Sequence, residues 1–117
     1  MAIVADHYAF VTGVDTHARS HTLAIVDARS GQELDTRTFP STPSGRGRAA
    51  RWLQRRCGTS SGVLVAMEGT NWYGATLREL LSDGGYRVIE APKPARSLRR
   101  SHGKSDQLDA VRAAQAV

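Results

Sequence analysis

Asp106 and Asp109 stand three residues apart in the segment Lys104-Ser105-Asp106-Gln107-Leu108-Asp109-Ala110. On a helix, residues i and i+3 share a face, so the two carboxylates project side by side. Adjacent carboxylates raise one another's pKa unless a cation or a shared proton relieves the repulsion. Divalent cations such as Mg²⁺ take oxygen ligands of this kind. Two more acids have the right surroundings to join them: Asp15, at the end of the apolar run Phe10-Val11-Thr12-Gly13-Val14, and Glu68, directly after Gly62-Val63-Leu64-Val65-Ala66-Met67. If those two runs are parallel neighbouring strands, both acids emerge at the carboxyl edge of a sheet, where α/β proteins place their sites. Four acids at one point require compensating charge, and two Mg²⁺ ions about 3.5–4 Å apart supply it in nucleases and polymerases. Mn²⁺ can substitute.

Each acid alone also has a structural explanation. Asp15 precedes a polar loop and could shape a turn, Glu68 could be a surface acid, and Asp106 could serve a helix macrodipole. Asp109 could be a solvated helix residue. The element order favours a joint site over four separate explanations.

Positioning these residues requires a particular set of elements. Phe10 to Asp15, Leu23 to Asp27 and Glu33 to Phe39 read as strands of an antiparallel meander, broken at His17-Ala18-Arg19-Ser20 and at Arg29-Ser30-Gly31-Gln32. Pro40 to Gly45 interrupts the chain, and a helix is expected from about Ser44 to Arg56, with Ala49, Trp52 and Leu53 inward. The continuous apolar run 62–67 has the character of a strand buried on both faces. A second helix is expected from about Trp72 to Ser82, with Tyr73, Leu77, Leu80 and Leu81 on its apolar stripe. Tyr86 to Glu90 forms a fifth strand, and a last helix starts near Ser105, its N-cap. The order is β-β-β-α-β-α-β-α, an α/β fold with a mixed five-stranded sheet and helices packed on it.

With 117 residues the chain is sized for one domain, 1–117, with 1–9 expected to be a loosely ordered tail. No apolar stretch approaches the roughly 20 residues of a membrane helix, and the start lacks the pattern of a signal peptide. One cysteine, Cys57, excludes an internal disulfide framework and a zinc knuckle. A cytoplasmic, nucleoid-associated location is expected. Lys and Arg number 16 against 11 acids, for a net charge of +5. No acid occurs from Thr36 to Met67, where Arg37, Arg46, Arg48, Arg51, Arg55 and Arg56 fall, nor from Ala91 to Ser105, which holds Lys93, Arg96, Arg99, Arg100 and Lys104. Arginine outnumbers lysine 14 to 2, which suits bidentate phosphate recognition and also fits a GC-rich genome. The arginines at 46, 48, 51, 55 and 56 are expected to form one broad basic helix face that grips nucleic acid.

Beyond the acids, His17 and His21 flank the first turn and could assist proton transfer or bind phosphate; they read more simply as polar hairpin residues, with the functional reading slightly favoured for His17. Trp72 and Tyr73 could stack on a base, but the stripe they begin reads more readily as core. Lys104 either pairs with phosphate or neutralises Asp106. No serine has a His/Asp partner at triad spacing.

At these motifs the sequence resembles a known family, the N-terminal domain of the DEDD transposases of the insertion-sequence-110 type. The matching residues are Gly13-Val14-Asp15-Thr16-His17, Glu68-Gly69-Thr70 with Tyr73-Gly74, and Lys104-Ser105-Asp106 with Asp109-Ala110. Asn71 and Ala18 depart from residues common in that family. The resemblance implies a RuvC-like RNase H fold, with the D-E-D-D carboxylates falling on Asp15, Glu68, Asp106 and Asp109. It further implies RNA-guided DNA recombination with an element-encoded bridge RNA, a homo-oligomer in the full-length protein, and a separate C-terminal serine-bearing domain that is absent here. The fragment is therefore not expected to carry out the complete reaction alone.

Two rivals come from other classes. An actin-like ATPase would want a glycine soon after the first-strand aspartate, and Thr16-His17-Ala18 supplies none; no P-loop or dinucleotide fingerprint occurs either. The other alternative is a non-catalytic nucleic-acid-binding or dimerisation remnant of a truncated transposase.

Overall fold

Residues 7–91 and 114–115 are described by a computed structural model of the chain. A five-stranded sheet forms its centre: β1 (Phe10–Thr16), β2 (Ser20–Asp27), β3 (Glu33–Pro40), β4 (Val63–Met67) and β5 (Arg87–Glu90), in the spatial order β3-β2-β1-β4-β5. The meander β1-β2-β3 is antiparallel, whereas β4 lies parallel to β1 and β5 parallel to β4. The crossover from β3 to β4 carries the helix α1 (Pro43–Cys57), and that from β4 to β5 carries α2 (Ala75–Asp83).

Local sequence explains these limits. Thr42 caps α1 through its hydroxyl, which accepts from the Gly45 amide at 3.0 Å, and Pro43 occupies the first helical turn where no amide partner is needed. The helix therefore starts one residue earlier than expected and ends at Cys57, followed by Gly58 at φ 81°. The β2–β3 turn is fixed by Asp27, whose Oδ1 accepts from the amides of Ser30 and Arg29; these bonds hold its carboxyl below the usual value.

Strand alternation gives the sheet two unlike faces. On one, Val14, Leu23, Ile25, Phe39, Val63, Val65 and Met67 pack under α1 and α2, joined by Trp52, Leu53, Leu77 and Leu81. On the other, small residues predominate: Val11, Val26, Ala66 and Ala91 pack with Ala114. Ala114 thus lies on the second face, and the adjacent Gln115 Nε2 donates to the Gly31 carbonyl at 2.8 Å. Ala9 extends the pairing before β1, its amide donating to Gly62 and its carbonyl accepting from Ala28.

Three expectations need correction. Helix α2 starts at Ala75 and not at Trp72, because residues 68–74 form turns in which the Gly74 amide donates to the Gly69 carbonyl. Tyr73, left in the turn, is exposed, and within the helix Leu80 is exposed as well, leaving Leu77 and Leu81 as the buried stripe. Strand β2 begins at Ser20 rather than Leu23, which carries His21 into the core at 1% exposure instead of leaving it in the hairpin loop. Residues 1–6, most of the final helix expected from Ser105, and Asp106, Asp109, Arg96, Arg99, Arg100 and Lys104 lie outside the described residues.

Candidate functional site at the carboxyl edge of the sheet

Parallel pairing sets the site. Val14 of β1 stands opposite Met67 of β4, and the Glu68 amide donates to the Val14 carbonyl at 3.1 Å. Asp15 and Glu68 are therefore the next rung beyond that pair. By alternation they belong to the second face of the sheet, the face that Ala114 covers. Thr16 ties the two strand ends together: its hydroxyl donates to the Glu68 carbonyl at 2.7 Å.

Asp15 is buried at 5% exposure, and its Oδ2 lies 2.8 Å from His17 Nε2. A buried carboxylate is costly unless partnered, so the exposed imidazole two residues on is part of what holds the acid in place. His17 reaches back because a three-residue turn reverses the chain, closed by the His17 amide on the Ser20 carbonyl.

A residue that sequence reasoning passed over completes the edge. Glu90, at the end of β5 opposite Met67, accepts from the amides of Gly69 and Thr70 at 3.0 Å each and from the Thr70 hydroxyl at 2.8 Å. Three donors on one carboxylate clamp the turn that follows Glu68. A strand-terminal acid on the strand next to the Glu68 strand was the available signal. Two glycines make the turn possible. Gly69 has φ 74°, and at Gly74 an added Cβ would sit 2.6 Å from Met67 Sδ and 2.9 Å from the Gly69 carbonyl.

Outside this edge, Trp72 and Tyr73 stand in solvent on the same turn, Trp72 at 73% exposure, as an edge-to-face pair with centroids 6.1 Å apart. The sequence favoured a core stripe for them over base-stacking; their exposure corrects that, and they are not core. Cys57 is half-buried, and burial pushes its thiol up to about 11, so it is protonated and unreactive at neutral pH.

Helix α1 does not present its arginines as one face. Arg56 Nη2 pairs with Asp35 of β3 at 2.8 Å. Arg48 and Arg55 turn toward β3, Arg51 lines a cleft on the α2 side, and Arg46 is half-buried and lies close enough to His21 to act on its charge. Burial first, then the positive charge of Arg46 and the neighbouring His17, push the His21 imidazole below its ordinary value of 6.5. Among the described residues neither ring nitrogen has a hydrogen-bond partner.

The carboxylates offer only hard oxygen donors, which suit Mg²⁺ or Mn²⁺ rather than a soft metal. Among the described residues no group of three or more His, Cys, Asp or Glu side chains converges on one point. Asp15 and Glu68 are the two proposed ligands those residues contain.

Comparison with known proteins decides the lineage. Residues 12–117 match the family of insertion-sequence-110 DEDD proteins, described as transposases. The chain belongs to that family. Membership assigns it to DNA transposition, and its fold is the RuvC-like form of RNase H. Over 93% of this chain and 92% of the other, it superposes with a TM-score of 0.63 on Thermus thermophilus RuvC in complex with a Holliday junction substrate, at 13% identity. A second Thermus thermophilus RuvC structure gives a TM-score of 0.61 at 15% identity, covering 92% of each chain. No curated protein matches the sequence. Among the described residues no helix is long and apolar enough to cross a membrane.

Proposed function

We propose that this transposase domain acts on DNA phosphodiesters through a divalent-metal site formed by Asp15, Glu68, Asp106 and Asp109. The observation that carries the reading is the parallel β1–β4 pair, whose last rung, Val14 opposite Met67, makes Asp15 and Glu68 the next residues at the carboxyl edge. Support also comes from the second face: Ala114, five residues after Asp109 in the sequence, packs on the side of the sheet that the first two acids share. Two bound Mg²⁺ ions would activate the attacking oxygen and neutralise charge on the phosphate.

The protein's own residues do the positioning. His17 and burial fix the Asp15 carboxylate, Thr16 joins the β1 and β4 ends, and Glu90 holds the turn after Glu68. Trp72 and Tyr73 offer ring faces for an unpaired base beside the site. Arg46, Arg48, Arg51, Arg55 and Arg56, with Arg96, Arg99, Arg100 and Lys104, supply contacts to DNA and to a guide RNA encoded by the element. The domain works within a homo-oligomer.

Thermal unfolding with and without Mn²⁺ tests the site. A ligand bound only by the folded state at 100 times its Kd adds about 2.7 kcal/mol. The wild-type chain is expected to gain stability with Mn²⁺, and Asp15→Asn/Glu68→Gln to lose that gain. A wild type that does not respond to Mn²⁺ or Mg²⁺ would sink the metal site.

A further inference from the structure

On the face of the sheet opposite the carboxylates, β3 and α1 meet side chain to side chain in a short series. Phe39 packs on Trp52, with centroids 5.7 Å apart and planes at 57°. Asp35 pairs with Arg56. Arg37 lies between these two positions on the same side of β3, and the guanidinium carbon sits 5.8 Å from the Phe39 ring centroid. What faces it from α1 is not an acid. Arg37, Arg48 and Arg55 together line a cleft of about 160 Å³, floored by Phe39 and Trp52.

Among the described residues none of these three arginines has a carboxylate within ion-pair distance. The contrast with Asp35 and Arg56, on the same pair of elements, is the informative point. Three guanidiniums around one cleft repel one another, and because all three residues are exposed, water and salt screen that repulsion in part. An anion bound between them reverses the sign of that interaction. Arginine forks match phosphate oxygens bidentately, and the cleft is open on one side, as a polymer passing through it requires.

We infer that Arg37, Arg48 and Arg55 form a phosphate-binding subsite for a nucleic-acid backbone, on the side of the sheet away from the carboxylates. Asp15 and Arg37 lie on opposite faces: Arg37 alternates in step with Phe39, and Asp15 out of step with Val14, both of which belong to the α1-side core. The strand held here is therefore not the strand presented to the acids. It is a second backbone, held without reading its sequence. The inference rests on the proposal that the domain acts on nucleic acid, but needs no metal.

The test is binding in EDTA, titrated against salt, with a single-stranded RNA and a duplex DNA of equal length. Arg37→Gln/Arg48→Gln is compared with Arg29→Gln/Arg87→Gln, which removes the same charge elsewhere on the surface. Each lost phosphate contact lowers the slope of log K against log salt by roughly 0.7–0.9. The cleft variant is expected to lose that amount per arginine for at least one probe, and the control variant to keep the wild-type slope. A loss with RNA alone assigns the backbone to RNA, and with duplex alone to DNA. Equal slopes in both variants, or no binding of either probe by the wild type, overturns the subsite. Both variants must retain the wild-type unfolding transition, and a metal response that survives in the cleft variant separates this outcome from failure of the carboxylate site.

Discussion

The two faces of the sheet are built on different terms. The α1–α2 face is filled by Leu23, Trp52, Leu53, Met67, Leu77 and Leu81, all nearly or fully inaccessible. The second face has Val11, Val26, Ala66 and Ala91 where the first has leucine and tryptophan. Large apolar side chains contribute most of the burial free energy, so the first face stabilises the fold. Small residues let another segment approach the sheet closely, and that is the face to which the acidic strand ends belong. Stability and the proposed chemistry are thus divided by the thickness of one sheet.

Substitutions can break that division or sharpen it. Leu53→Ala on the first face removes a fully buried side chain, and urea unfolding should show a loss of about 2–5 kcal/mol. At the edge, Glu90→Ala deletes a carboxylate that accepts three hydrogen bonds and should cost about 1–3 kcal/mol. The Mn²⁺ response should weaken with it, while Glu90→Gln, which keeps one acceptor oxygen, falls between. A Glu90→Ala variant with an unchanged metal response would show that the clamp does not position Glu68.

His21 tests the first face through pH. Its folded-state pKa lies below its ordinary 6.5, so protons bind the unfolded chain more readily. Stability from the neutral imidazole is complete above 6.5 and declines as the pH falls below that value toward the folded pKa. His21→Phe should flatten this acid limb in denaturant melts at pH 5 to 7. The smallest effect is expected at Trp72. Its ring is in solvent, so Trp72→Ala should alter stability by no more than about 0.5 kcal/mol. Single-stranded DNA binding by the same variant should fall. A stability loss above 1–2 kcal/mol would return Trp72 to a packing role.

Much of this architecture was legible in the residues. The apolar run at 62–67 announced a strand buried on both faces, and β4 spans Val63–Met67 with every residue buried. The meander followed from short apolar runs and turn residues, whereas the parallel pairing of β1 with β4 entered only as the condition for a shared site and is supplied by the fold. Misreadings arose where tertiary geometry overrode local pattern. Helical spacing carried the second helix back to Trp72, but the Gly69 and Gly74 turn delays it to Ala75. His21 read as polar punctuation because its burial depends on β3 and α1, which come later in the chain. The basic helix face was legible as composition, not as geometry: only β3 could show that Arg56 is neutralised while Arg48 and Arg55 meet a third arginine. Of the proposed metal ligands, the described residues contain Asp15 and Glu68.

The parallel pairing of β1 with β4 also bears on how the chain folds. The meander joins neighbours in sequence and can close as soon as residues 10–40 are available. The β1–β4 contact instead waits for α1 and a long loop closure, which costs entropy before any contact repays it. Until β4 arrives, β1 is a bare strand edge able to pair with another chain. The rung that aligns Asp15 with Glu68 is therefore a late product of folding, and nascent chains that stall before residue 63 carry an open edge in place of a site.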